Sequence, residues 1–93
     1  MYRIIIALLL FSTATAASGK QEFCTHMQQV ARAAMVSRQA GIPLQTMLQL
    51  VSDETATGIF REAYLQPEHE LEADQKISIK NFSEMVLTAC LKS

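Results

Sequence analysis

Glycine, proline, histidine and cysteine are all scarce in this 93-residue chain: three, two, two and two residues respectively. Each scarcity closes off a chemistry. The three glycines, Gly19, Gly41 and Gly58, stand far apart, so there is no glycine-rich loop to cradle a phosphate. His26 and His69, with only Cys24 and Cys90 beside them, do not make the four-ligand set of a structural zinc site. The cysteines are not arranged as Cys-x-x-Cys, the spacing a dithiol redox centre uses. No GxSxG, no HExxH and no nucleophile beside a base occurs, so the sequence assigns no catalytic residue, no metal and no cofactor, and the chain reads as a non-enzyme. Positive charge is also sparse and scattered. Nucleic acid and anionic membrane both demand concentrated positive charge, so neither is expected as a partner.

What is present begins with an export signal. Arg3 supplies a positive start, residues 4–11 are an unbroken apolar run, and Ala14-Thr15-Ala16 has the small-x-small form that a signal peptidase accepts. Residues 1–16 are therefore expected to be a cleaved signal peptide, and residues 17–93 a single helical domain. The apolar run is far shorter than the ~20 residues a helix needs to cross a bilayer, and no later segment is longer. No transmembrane segment is expected in the mature form. Removing 16 of 93 residues leaves 77, with seven basic against nine acidic side chains once Arg3 is gone. A core that small often needs a covalent staple.

Cys24 and Cys90 bracket almost the whole mature chain. In an oxidising compartment the leading expectation is a structural disulfide between them. An intermolecular bridge and a metal site that also uses His26 are the alternatives. A bond across this separation shrinks the unfolded ensemble, worth roughly 4 kcal/mol in the chain-entropy model.

Apolar spacing then predicts four helices and no strand. Phe23, Met27, Val30, Ala31, Ala34 and Met35 recur at the three- and four-residue intervals of one helical face over 21–39, with Gly41 placed to end that helix in a left-handed turn. Pro43 fits the first position of a short second helix of about two turns, ending near Ser52. Ser52 or Asp53 caps a third, in which Ala56, Ile59, Phe60, Ala63 and Tyr64 form the cleanest stripe. Gly58 weakens that helix and points to close packing by a neighbour, and Pro67 stops it. Residues 67–76 show no periodicity and read as an acidic loop. Ser78 is then expected to cap a last helix whose inner face carries Ile79, Phe82, Val86, Ala89 and Cys90, widened by Met85, Leu87 and Leu91. The fold class is all-α: a small up-down bundle of three longer helices and one short one, closed by one disulfide.

Two polar clusters fall at the connections, where binding groups commonly sit. Arg38 and Gln39 flank the first turn; Glu68, His69, Glu70 and Glu72 lie in the acidic stretch. These six are the candidate partner-binding residues. Each also has an ordinary explanation. An arginine at a helix C-terminus meets the negative end of the dipole, or pairs with Asp53 and Glu54, and an acidic run is often only a solvated loop. A calcium loop needs a glycine and a fixed ligand order, which residues 67–76 lack. Met27, Met35, Met47 and Met85 are spread over three helices at core positions, as gap-filling methionines are, rather than as copper ligands. Asn81-Phe82-Ser83 is a formal glycosylation sequon inside a predicted helix, a position that argues against its use.

The segments Ala34-Met35-x-x-Arg38-Gln39-x-Gly41-Ile42-Pro43-Leu44 and Ala63-Tyr64-x-x-Pro67, between an early and a late cysteine, resemble those of small exported proteins of Gram-negative bacteria and their prophages. The resemblance covers most of the mature chain. It implies a periplasmic location and favours pairing of the two cysteines, and it carries no activity. The functional expectation is a periplasmic domain that binds another envelope or secreted protein, as an inhibitor, an immunity protein or an envelope accessory factor. A stress chaperone that exposes apolar faces in acid is the first alternative, and a small enzyme of unknown reaction the second.

Overall fold

In the computed structural model four helices follow one another: α1 (Tyr2–Gln39), α2 (Leu44–Leu48), α3 (Glu54–Tyr64) and α4 (Glu72–Lys92). The structure describes the backbone of residues 2–93 and the side chains of residues 19–93; the expected signal peptide over 1–16 and its cleavage site lie outside the residues whose side chains are described. Among the described residues there is no strand, and no helix is long and apolar enough to cross a membrane.

α1 is already helical at Gly19 and ends where the sequence places its end. Gly41 adopts φ 77°, the left-handed region that only glycine enters without a Cβ penalty. The Ile42 N–H donates to the Ser37 carbonyl (3.1 Å) and the Gly41 N–H to that of Arg38 (3.0 Å), the paired bonds of a Schellman cap. Pro43 then turns the chain. It is the N-cap rather than the first helical residue: its ψ is 141°, and its carbonyl accepts from Thr46 (3.1 Å). α2 is five residues rather than two turns, with Gln49 as its C-cap. It relaxes into single turns in which the Leu50 N–H reaches Met47 (3.0 Å) and the Val51 N–H reaches Leu48 (3.4 Å).

Asp53 caps α3, its carboxylate accepting from the Ala56 N–H at 2.9 Å, which removes one of the orphan donors of the first turn. Ala56, Phe60 and Ala63 are buried as their spacing requires. Gly58 is not packed by a neighbour: a Cβ built there meets nothing within 4 Å.

α4 begins six residues before the expected cap. Leu71 is its N-cap, and Ser78 lies inside the helix. The first turns are solvated and have no apolar face to show periodicity, yet Glu72 and Asp74 suit the positive end of the dipole. Glu72 also pairs with Lys76 at 3.3 Å, one helical turn on. The acidic loop is accordingly shorter than its sequence signal.

A single core joins α1, α3 and α4. Ala31, Ala34, Met35, Phe60, Ala63 and Phe82 form it, with side chains from α2 packed around. Ala31, Ala34, Ala63 and Ser83 are fully buried, and small residues of this kind let helix backbones come close. The Ser83 hydroxyl is satisfied by the Lys80 carbonyl at 2.9 Å. Phe23 departs from its stripe and is 54 % exposed. The next residue, Cys24, is buried and bonded to Cys90, with the Cα atoms 5.5 Å apart. Both sulfurs are taken, so the intermolecular bridge and the metal site with His26 are excluded. The bond ties α1 at Cys24 to the last turn of α4, as an up-down arrangement demands.

Candidate functional site

The two polar segments that stood out in the sequence meet in space. Arg38 Nε donates to the Gln66 carbonyl at 3.0 Å, and its guanidinium lies 5.7 Å from the centre of the Tyr64 ring. Gln39 Nε2 donates to the Pro67 carbonyl (2.9 Å), while its Oε1 accepts from the His69 N–H (2.8 Å). The Tyr64 hydroxyl donates in the other direction, to the Ile42 carbonyl at 2.6 Å. Gln75, from the first turn of α4, holds the His69 carbonyl at 2.8 Å. The turn after α1 and the loop after α3 are thus stitched together by side chains whose partners are backbone groups. Backbone carbonyls that no helix can satisfy are what these side chains complete. The alternative pairing of Arg38 with Asp53 or Glu54 does not form; Asp53 is occupied as a cap.

This geometry sorts the six candidates. Gln39 is buried, with both ends of its amide engaged inside the protein. Arg38 is half-buried and held over Tyr64. His69 contributes its backbone to the stitch and keeps its ring partly covered. Glu68, Glu70 and Glu72 remain exposed, Glu72 within the ion pair on α4. Burial pushes the Tyr64 phenol above its ordinary value; Arg38 opposes the shift and Glu68 adds to it.

A second feature begins beside this cluster, at Gln66, and was not singled out from the sequence. α3 and α4 each pack along α1 and scarcely touch one another. A groove runs between them with α1 as its floor. Its upper end is polar, with Gln66, Ser78 and Asn81 around the edge of Met35. The middle passes between Gly58 and Glu62 on α3 and Phe82 on α4. The lower end is apolar and holds about 450 Å³ between Phe23, Met27, Ile59, Val86 and Ala89, with Cys90 in its wall. Met85 borders all three parts and is 54 % exposed. The signal for it was available in part: Phe23, Met85 and Ala89 extend the apolar stripes of α1 and α4 beyond what three helices can cover.

The architecture defines a disulfide-closed, all-α protein of three helices and one short connecting helix. No family model matches the chain, and neither a curated protein nor a solved structure does.

Proposed function

We propose that this protein is a non-enzymatic binding domain of the bacterial periplasm, exported by its N-terminal segment, and that it acts by docking another envelope or secreted protein in the α3–α4 groove. The groove is the observation that supports this reading: a long, largely neutral apolar channel on a stapled scaffold, of the kind that receives a helix or strand of a partner. Apolar surface collected in one place, with polar residues at one end, marks interaction sites more often than scattered exposed side chains do. Inhibitor, immunity and envelope accessory roles all belong to this class. Glu68, Glu70 and Glu72 would steer a basic partner toward the protein without forming its main contact.

The acid-chaperone alternative is less well supported. All nine carboxylates are exposed, so protonation has no buried ion pair to break. The test is capture from the native cell envelope by the oxidised protein, compared with its Met85→Asp variant. The reading requires a partner that Met85→Asp loses and that Glu70→Gln retains with a weaker salt dependence. A partner retained equally by both variants would place the working surface elsewhere.

A further inference from the structure

The groove has the dimensions of a missing helix. From Ser78 to Ser93 its α4 wall covers about 22 Å at 1.5 Å per residue, or four turns. Its two walls are held apart by α1 rather than drawn together, which leaves one place open in a four-helix arrangement. Gly58 bears on what fits there. It sits in the α3 wall, costs the helix about 1 kcal/mol relative to alanine, and has no neighbour of its own chain that would need the space. A bare backbone in a groove wall lets another backbone approach closely.

Charge then narrows the occupant. Through the three parts of the groove the only ionisable side chain in the walls is Glu62. Glu62 makes no ion pair among the described residues and stands halfway along, where an incoming helix must pass it. An acidic residue at that point would meet a like charge beside apolar surface; a basic one gains a partner.

Resting on the docking role given above, we propose that the groove takes one amphipathic helix of a partner protein, about four turns long. Its apolar stripe lies over Ile59, Met85 and Val86, its small residues face Gly58, and a lysine or arginine lies opposite Glu62.

A library of 16-residue helices with randomised faces, displayed on yeast and selected against the full-length chain purified in its oxidised form, tests this. Selected helices should carry apolar residues at three- and four-residue spacing with Lys or Arg at one flank. They should bind Met85→Asp at least tenfold more weakly. Selection against Glu62→Lys should replace the basic residue by Asp or Glu. Arg32→Glu, at an exposed position of α1 that lines no part of the groove, should change affinity less than twofold, and unchanged far-ultraviolet circular dichroism shows that each variant is folded. Enrichment of no helix, or of helices indifferent to Met85 and Glu62, overturns the proposal. So does a concentration-dependent dimer that Met85→Asp dissociates, since a second copy would then fill the groove. That last result leaves the groove as the binding surface, whereas envelope capture that ignores Met85→Asp removes the docking reading itself.

Discussion

Gln39 and Arg38 look from the sequence like groups offered to a partner, and the structure turns both inward. The sequence shows that a polar pair follows a buried helical stripe, but not that unpaired carbonyls from residues 66 and 67 arrive beside it. That information is long-range, carried over a separation of 28 positions. Deleting the Gln39 amide leaves the Pro67 carbonyl and the His69 N–H without partners in a partly buried place. Gln39→Ala should therefore cost about 2–3 kcal/mol, read as a lower urea midpoint at unchanged slope. A loss below about 0.5 kcal/mol would mean that water replaces the amide freely. Tyr64 supplies a pH test. Its folded pKa is raised, so the phenol contributes its stability fully below the unfolded value near 10 and loses it as pH rises through the folded value. The stability of the native protein should fall relative to Tyr64→Phe above about pH 10, and the two curves should run parallel below it.

Element boundaries were legible wherever a specific backbone device marks them. Gly41 with Pro43 and Asp53 with Ala56 are such devices, and α1 and α3 end and begin where those residues stand. The start of α4 was misread because its first two turns are solvent-facing: helical periodicity is a signal of burial, and Glu72, Asp74 and Lys76 bury nothing. Two substitutions separate the expected boundary from the observed one. Asp53→Ala removes a working cap and should destabilise by about 1 kcal/mol; Ser78→Ala, inside α4, should leave stability within about 0.5 kcal/mol. A cost at Ser78 equal to that at Asp53 would favour a later helix start. Gly58→Ala should stabilise α3 by up to about 1 kcal/mol, since its added methyl meets nothing. If the groove holds a closely approaching helix, the same variant binds that helix less well, so stability and binding move in opposite directions.

At the scale of the molecule, the cysteine pair was the most legible feature. A bond between the early and late cysteines requires the part of α1 around Cys24 and the end of α4 to be neighbours, and they are. It closes a span of 66 residues, so Cys90→Ser paired with Cys24→Ser should lower stability by roughly 2–4 kcal/mol, measured by denaturant titration against the oxidised protein. The groove was less legible. Apolar stripes tell how much of each helix needs cover but not which pairs of helices provide it, and it is the separation of α3 from α4 that leaves Met85 and Phe23 uncovered. The functional claim rests on that separation, and the methionines after Met1 report on it directly. Met27 and Met85 line the groove, whereas Met47 belongs to α2 and packs against the core elsewhere. In a methyl spectrum of the isotopically labelled methionines, titration with a captured partner or a selected helix should move the Met85 and Met27 signals and leave that of Met47 in place. Movement of Met47 with Met85 and Met27 unchanged would contradict the account.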